Sequence, residues 1–389
     1  MLYNAVELTR RLVRIQSTNP GGGEGRMGDF LCGLLEDAGV APEKSEVLPG
    51  RFNIRAVQKG RKASPALIFI CHMDTVVKGD GWTRDAFDGS MEDGRIWGRG
   101  SCDMKSGLAC ALSAFMETAQ KVKKEETILE YPLVFIGTVD EEGDMQGVEK
   151  VIQDGWVDAK DWVLDMEPTD GCLSMAHKGR TWFEVEVQGI TAHASMPEKG
   201  ADAIAGMAEI IHSIREKFES CPVHTELGRS TVTFGQIQGG YSPYVVPDHC
   251  KVTVDMRLVP PMDTKWAEEM VHASIIEAEN TVKGTKAGFQ VTGDRPALET
   301  HRESLLLNAV LEAGRCVTGK EPKVSVFPGY TDTAVIAGKT GNQNCMSYGP
   351  GSLAQAHKPD EFVITTEIQR CQEVLLILIE KMLTKERAL

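Results

Sequence analysis

Three consecutive segments of the chain read ALIFICHMDTV (66–76), GDGWTRDAFDG (79–89) and GRGSCDMKSG (98–107). The apolar run Ala66–Cys71 has the length of a strand and is rich in branched and aromatic residues, so it predicts a buried strand. His72 and Asp74 come where this strand ends. Ligands of open α/β sheets bind in the crevice outside the carboxyl ends of the strands. A His-x-Asp pair at such an end suits a metal ligand and its neighbour.

Asp103 supplies a second potential ligand. We predict that it opens a helix running through Met104–Ala119, because a carboxylate is favoured by the free N–H groups and the positive end of a helix. One histidine with one or two carboxylates makes a hard site of mixed nitrogen and oxygen donors. Such a site suits zinc, cobalt or manganese rather than copper or an iron–sulfur cluster.

Further acidic residues and a histidine follow other predicted strands. The strand Leu133–Val139 runs into Asp140–Gly143, and the strand Asp161–Asp165 is followed by Met166–Thr169. Downstream, Cys345–Tyr348 leads to His357. Carboxylates crowded into one crevice raise one another's pKa. We therefore expect cations between them.

Six motifs in this order resemble those of one known family. That family comprises dizinc amidohydrolases and exopeptidases and includes acetylornithine deacetylase, succinyl-diaminopimelate desuccinylase, aminoacylase and glutamate carboxypeptidase. The matching segments are HMDTV (72–76), GRGSCDMKSG (98–107), DEEG (140–143), MEPTD (166–170), ITAHASMP (190–197) and GPGSLAQAHKPDE (349–361). The resemblance covers essentially the whole chain and rests on all six motifs together.

Composition excludes several classes of partner. The 389 residues are enough for two domains, and a net charge of −14 argues against nucleic-acid or anionic-membrane partners. No apolar run approaches the ~18 residues that span a bilayer. Ten cysteines without C-x-x-C pairs indicate thiols in a reducing compartment rather than disulfides or a cysteine zinc site. We expect a cytoplasmic protein.

The hydrophobic pattern changes after about Ala176. Alternating strands and two helices then interleave, which predicts an α+β, ferredoxin-like domain inserted into a mostly parallel α/β domain. The strands are expected at 181–188, 231–236, 251–258 and 288–291, and the helices at 201–218 and 264–279. We predict a catalytic domain at 1–177 and 294–389 and an inserted dimerisation or lid domain at 178–293.

The resemblance implies a site with two metal ions bridged by Asp103 and a water. One metal adds His72 and Glu167, and the other adds Glu142 and His357. Asp74 is expected to accept a hydrogen bond from the other ring nitrogen of His72 and so fix its orientation. The metals are expected to be zinc, with cobalt or manganese as alternatives.

The adjacent acids Glu141 and Glu142 must have different roles, because neighbouring residues at a strand end point in different directions. By resemblance, Glu141 is the general base that takes a proton from water and returns it to the leaving amine. Glu142 is then the metal ligand. The reverse assignment of these two residues stays open.

The resemblance also assigns residues of the inserted domain. His193 would reach the active site of the partner subunit in a homodimer and steady the oxyanion. Arg257 would grip a substrate carboxylate, although a plain surface charge explains it equally well. Gly329 and Thr331 fall where the family makes contacts to substrate. Relatives often have Asn at the position of Tyr244, which leaves the substrate open.

These features lead to one main hypothesis and two rivals. The protein is expected to hydrolyse the amide bond of an N-acyl amino acid. A dipeptidase or carboxypeptidase would use the same chemistry on a short peptide. A non-catalytic binding protein that kept the fold is the third possibility, but such a protein would be expected to have lost ligands or the base.

Overall fold

The structure is a computed structural model that describes residues 4–384. Its strands, in chain order, are β1 (Thr18–Asn19), β2 (Glu43–Leu48), β3 (Arg51–Gln58), β4 (Leu67–His72), β5 (Thr75–Val76), β6 (Met91–Glu92), β7 (Arg95–Trp97), β8 (Leu133–Thr138), β9 (Trp162–Asp165), β10 (Leu173–His177), β11 (Gly179–Gln188), β12 (Thr231–Gly239), β13 (His249–Leu258), β14 (Lys286–Arg295), β15 (Val324–Phe327), β16 (Cys345–Ser347) and β17 (Phe362–Ile364).

The α-helices are α1 (Ala5–Val13), α2 (Glu24–Asp37), α3 (Ser106–Lys123), α4 (Gln146–Gln153), α5 (Ala203–Glu219), α6 (Thr264–Thr281), α7 (Leu305–Thr318), α8 (Asp332–Thr340) and α9 (Thr365–Leu383). Short π- and 3₁₀-helical turns lie at Ser101–Lys105, Pro197–Lys199 and Leu353–Gln355. Among the described residues, no helix is both long enough and apolar enough to cross a membrane.

The chain divides into two compact units. The first unit contains the residues up to Met175, Thr300–Phe327 and the residues from Thr331 onward. The second unit contains Ala176–Glu299 and Pro328–Tyr330, where the sequence predicts a domain at 178–293.

An eight-stranded sheet with the order β15-β10-β16-β9-β4-β8-β3-β2 forms the centre of the first unit. The four strands β16, β9, β4 and β8 are parallel. Strands β3, β2 and β10 join antiparallel on either side. Every residue of β4 and β8 is buried, as expected for strands covered by helices on both faces. The predicted α/β class is confirmed, and the sheet is mixed at its edges.

Two groups of helices contact this sheet. Helices α1, α3, α7 and α9 pack together, and α4 packs with α8. Helix α3 is buried from Ser106 to Ala119, and half of the residues of that segment are Ala, Gly or Ser, which allow close packing. The carboxyl ends of the four parallel strands are left to the loops, and these loops carry the candidate site.

The second unit has a four-stranded antiparallel sheet in the order β12-β13-β11-β14. Helices α5 and α6 pack against each other and against the sheet. Burial alternates along β11 and β13, so one face of the sheet forms the core and the other faces solvent. The order of strands and helices is that of a ferredoxin-like β-α-β-β-α-β unit.

Candidate active site

Side chains from all four parallel strand ends meet in the first unit. His72 is the last residue of β4, Glu141 and Glu142 follow β8, and Glu167 follows β9. His357 lies in the loop after β16. The Nε2 atom of His72 is 3.8 Å from Glu167 Oε1, and that of His357 is 3.1 Å from Glu142 Oε1. The predicted ligands are therefore neighbours.

The Asp103 carboxylate lies between the two histidines. Its Oδ1 is 3.2 Å from Nε2 of His72, and its Oδ2 is 3.4 Å from Nε2 of His357. Each oxygen thus faces a different imidazole. This arrangement is what a carboxylate that bridges two cations requires.

Two groups of side chains are close enough to hold a cation among the described residues. The donor atoms of His72, Asp103 and Glu142 lie within 4.8 Å of one another, and so do those of His72, Glu141 and Glu167. Glu141 therefore also has the position of a possible ligand. These distances alone leave the division of roles between Glu141 and Glu142 open.

The electrostatics of the cluster fit divalent cations. Burial raises the pKa of Glu141 and Glu167 well above the ordinary value of a glutamate. It raises the pKa of Glu142 as well. Buried carboxylates at such spacing need positive charge between them. The donor set of two imidazoles and several carboxylates is that of zinc and similar metals.

The two imidazoles respond to this negative charge. Hydrogen bonds to Asp103 and Glu142 raise the pKa of His357 to about 10. Burial opposes a charge on His72, but Asp103 and Asp74 outweigh it and raise its pKa. Burial likewise opposes ionisation of Asp103, yet the two histidines lower its pKa below the usual range. The carboxylates of the cluster thus favour positive charge at the position between them, as bound cations would require.

The hydrogen bonds of Asp74 differ from the predicted ones. The ring N–H at Nδ1 of His72 donates to the backbone carbonyl of Asp74 at 3.0 Å, while the carboxylate Oδ1 is 3.6 Å away. The carboxylate instead accepts from the backbone N–H groups of Glu141 (3.2 Å) and Glu142 (3.1 Å). Asp74, which is fully buried, thus connects the histidine to the two acids.

The prediction that Asp103 opens a helix is wrong. Helix α3 begins at Ser106, and Asp103 has extended angles (φ −118°, ψ 100°) within the turn Ser101–Lys105. Its backbone N–H donates to the carboxylate of Glu361 at 3.0 Å. A buried acceptor from a remote segment replaces the next turn of helix as the partner of this N–H.

Sequence reasoning missed the residues that fix the turn after β8. Asn19 donates from Nδ2 to both Asp74 (2.9 Å) and Asp140 (3.0 Å). Arg51 pairs with Asp140 at 2.9 Å and with the fully buried Glu24. These residues come from separate segments, and Glu24 follows a glycine-rich turn that carries no ligand pattern. No local spacing indicates that they meet.

Thr331 belongs to the first unit. Its side chain caps α8 by accepting from the Ala334 N–H. Its hydroxyl also pairs with that of Thr333 at 2.8 Å, and Thr333 donates to Asp165 at 2.7 Å. Burial raises the pKa of the neighbouring Asp332 to about 7. The predicted contact of Thr331 with substrate stays a prediction.

The remaining predicted residues belong to the second unit. His193 is exposed, and its Nδ1 is 2.7 Å from the Ser195 hydroxyl. The carbonyl of Tyr244 accepts from Ala194 at 2.9 Å, so Tyr244 lies beside this segment. The Gly329 carbonyl is 3.3 Å from Nδ1 of His177.

Arg257 already has a carboxylate partner. Its Nε and Nη2 atoms donate to the two oxygens of Asp255 at 2.7 and 3.1 Å. Asp255 also accepts from the indole of Trp182 at 2.7 Å. A substrate carboxylate would have to share the guanidinium with Asp255 or displace it.

Proteins named as two types of enzyme have similar sequences. The chain is 28% identical over 362 residues to an acetylornithine deacetylase of Myxococcus xanthus, covering 89% of each chain. It is 25% identical over 393 residues to a protein of Staphylococcus aureus named "Probable succinyl-diaminopimelate desuccinylase", covering 94% of this chain and 95% of the relative. Both matches span nearly the full length.

Solved structures share the fold. A tripeptidase from Staphylococcus aureus superposes with a TM-score of 0.81 at 20% identity, covering 97% of both chains. A dinuclear metal binding peptidase of Bacillus subtilis superposes with a TM-score of 0.71 at 18% identity, covering 96% of this chain and 97% of that one. The sequence profile of "Peptidase family M20/M25/M40" matches residues 68–381. With this match over most of its length and a cluster of histidines and carboxylates at the ends of its parallel strands, the chain belongs to this family of metallohydrolases.

Proposed function

We propose that the protein hydrolyses the amide bond of an N-acyl amino acid with the help of two divalent metal ions, most favourably zinc. The observation that carries this proposal is the position of Asp103, whose two carboxylate oxygens face the imidazoles of His72 and His357. The similarity in sequence to deacylating enzymes supports the choice of substrate. Cobalt and manganese suit the same donors.

The ligands divide into two sets that share Asp103. His72 and Glu167 would complete one metal, and Glu142 and His357 the other. The contacts of His72 with Glu167 and of His357 with Glu142 support this division. Metal ions bound by these residues would lower the pKa of a water and polarise a carbonyl oxygen.

Glu141 acts as the general base. Its carboxylate takes a proton from the attacking water as the water oxygen bonds to the amide carbon. When the C–N bond breaks, Glu141 returns the proton to the departing nitrogen, and the products are a carboxylic acid and an amine. Asp74 positions this step because it binds the backbone N–H of Glu141 and contacts His72.

We further propose a homodimer through the second unit, in which His193 steadies the developing oxyanion in the active site of the partner subunit. The exposure of His193 supports this role. Strand β12 lies at the edge of its sheet and is largely exposed, and an exposed edge is a surface on which another chain can pair. Exposed apolar side chains nearby include Ile237, Tyr241 and Tyr244.

Arg257, Gly329 and Thr331 are the proposed contacts to the acyl amino acid. Arg257 suits a substrate carboxylate because a guanidinium binds carboxylates bidentately. The two hydrogen bonds to Asp255 hold the Arg257 guanidinium in one orientation before substrate binds. All ten cysteines are free thiols, which supports a reducing compartment such as the cytoplasm.

A dipeptidase or carboxypeptidase is the second candidate. The tripeptidase that shares the fold favours it, and the chemistry at the scissile bond would be the same. A non-catalytic binding protein is disfavoured because all the predicted ligands and the base are present in one cluster.

The deciding experiment titrates chelator-treated protein with Zn²⁺ or Co²⁺ and then measures amine release. The substrates are N-acetyl amino acids, N-succinyl-diaminopimelate and dipeptides. We expect two metals per chain and metal-dependent turnover of an acylated amino acid. Turnover of dipeptides alone would favour the peptidase, and a chain that binds no metal would overturn the proposal.

A further inference from the structure

Glu361 is a buried acid that the proposed chemistry does not use. It lies between His357 and strand β17, with 1% of its side chain exposed. Its partner Arg99 is exposed by 2%. Buried charged pairs are rare because removing both groups from water is costly. The contacts of this pair therefore call for an explanation.

The Glu361 carboxylate collects four donors from one short segment. Its Oε1 accepts from the backbone N–H groups of Cys102 (2.8 Å) and Asp103 (3.0 Å). Its Oε2 accepts from the N–H of Gly100 (3.0 Å) and from the Arg99 guanidinium (2.6 Å). The carboxylate thereby determines the path of the backbone up to and including Asp103.

The same residue joins this segment to the loop that carries His357. The backbone N–H of Gly98 donates to the carbonyl of Glu361 at 2.9 Å, and β17 pairs with β7 immediately afterwards. Arg99 also donates to the carbonyl of Lys78 at 3.1 Å. Hydrogen bonds thus connect residues 98–103 to the loop that carries His357, beside the candidate metal ligands.

Position 100 shows how closely these segments approach. Gly100 has φ +80°, and a Cβ atom there would lie 2.4 Å from the Thr75 side chain. A glycine allows the N–H of residue 100 to turn towards Glu361 without this clash. The backbone is therefore shaped to present its N–H groups to the carboxylate.

We propose that Glu361 is a positioning residue that holds Asp103 and His357 at the spacing required by the metal they share. This inference rests on the proposed function. Asp103 and His357 lie 3.4 Å apart between Oδ2 and Nε2, and Glu361 is the group that contacts the backbone of one and follows the other. Residues that orient metal ligands commonly change metal affinity by about 10–100-fold when substituted.

The test replaces Glu361 by Gln. The amide oxygen can still accept from Cys102 and Asp103, but the amide NH₂ would face Gly100 and Arg99, which are both donors. Chelator-treated protein is titrated with Co²⁺, and calorimetry and the visible spectrum report the two binding events. We expect the event assigned to Glu142 and His357 to weaken by about 10–100-fold with a changed spectrum. The event assigned to His72 and Glu167 should weaken less, because Asp103 is its only ligand that Glu361 contacts.

A matched control is Asp161→Asn. Asp161 is also a buried acid that accepts two backbone N–H groups, from Ala66 and Asp158 at 2.8 Å each. It lies at the amino ends of β4 and β9, at the opposite end of the sheet. The D161N variant should leave both Co²⁺ binding events and the spectrum unchanged, even if the substitution lowers thermal stability.

The outcomes separate the two proposals. Two wild-type Co²⁺ affinities in E361Q would overturn the role of Glu361 and leave the proposed function intact. Weakening in D161N equal to that in E361Q would reduce Glu361 to a stabilising residue. If E361Q does not fold, Glu361→Asp keeps the charge with a shorter reach, and the same two criteria apply. A wild-type chain that binds fewer than two metals would overturn the proposed function itself.

Discussion

Glu141 and Glu142 are adjacent in the chain but have different partners. The Glu142 carboxylate contacts the imidazole of His357. The Glu141 carboxylate has no hydrogen-bond donor among the described residues, and burial raises its pKa well above the usual value. A general base needs a pKa near the working pH and a free face towards water. These differences favour Glu141 as the base.

Replacing Glu141 by Gln should lower kcat by about 10²–10⁴-fold. The amide has nearly the same shape but cannot accept the proton from water. Zn²⁺ content should stay at the wild-type value. The control is Glu142→Gln, which should instead lose metal. Loss of metal in E141Q together with retention in E142Q would show that the two roles are exchanged.

His177 gives the second unit a pH-dependent stability. Burial lowers its pKa to about 4, whereas an unfolded histidine has a pKa of about 6.5. Between these values only the unfolded chain takes up the proton, so the free energy of unfolding falls as pH falls. Above pH 6.5 both states are neutral and the contribution is complete.

Replacing His177 by Asn should remove this dependence. The Asn amide can donate to Gly329 as Nδ1 does but does not titrate. Between pH 7.5 and pH 5, the free energy of unfolding measured in urea should fall by about 2 kcal/mol more for the wild type than for the variant. His212→Asn, on an exposed position of α5, should behave as wild type. Equal losses in H177N and wild type would contradict the prediction.

The turn between β8 and α4 depends on charges supplied by other elements. Arg51 of β3 is 17% exposed and lies between Glu24 of α2 and Asp140. Glu24 Oε1 also accepts from the N–H of Asp140 at 2.9 Å. Asp140 has φ +67°, an uncommon conformation for a residue with a side chain. The surrounding contacts hold it there.

Arg51→Ala should destabilise the protein by about 3–5 kcal/mol, because it leaves two buried carboxylates without their cation. Chemical denaturation measures this change. Arg61→Ala is the matched control, since its pair with Glu130 has the arginine 57% exposed, and it should cost at most ~1 kcal/mol. Similar losses for the two variants would contradict the assignment.

The elements differ in how well the sequence predicts them. The apolar runs of β4 and β8 are found within a residue or two, because a strand buried on both faces needs no alternation. Strands β2 and β3 are missed because their residues are mixed and partly exposed. The sequence wrongly predicts a helix at Asp103 because a short π turn and a helix start look alike in sequence.

The candidate ligands could be found from sequence because each follows a strand or lies in a motif. The residues that hold them could not. Asn19, Glu24 and Arg51 meet Asp74 and Asp140 only in the folded chain. Glu361 is the last residue of the motif GPGSLAQAHKPDE (349–361), but only the structure shows that its carboxylate faces the backbone of residues 100–103.

The proposed exchange of His193 between subunits can be tested by mixing inactive proteins. E141Q lacks the base and H193N lacks the oxyanion group. In a mixed dimer one site combines an intact Glu141 with the His193 of the E141Q chain. Random mixing of the two chains should therefore restore about one quarter of the wild-type activity.

The control for this mixing experiment pairs E141Q with the double variant E141Q/H193N, which contains no intact base. It should stay inactive. Sedimentation velocity on the same samples reports whether dimers are present. Dimers without restored activity would mean that His193 does not serve the neighbouring subunit.

The sheet order has a consequence for how the chain is made. Strand β16 lies between β9 and β10, although it is translated long after both of them. During synthesis the position between β9 and β10 stays unfilled while the whole of Ala176–Glu299 is translated. His357 follows the strand that fills this position. The proposed ligand His357 can therefore join the other residues of the cluster only after the whole second unit and the chain up to residue 357 have been translated.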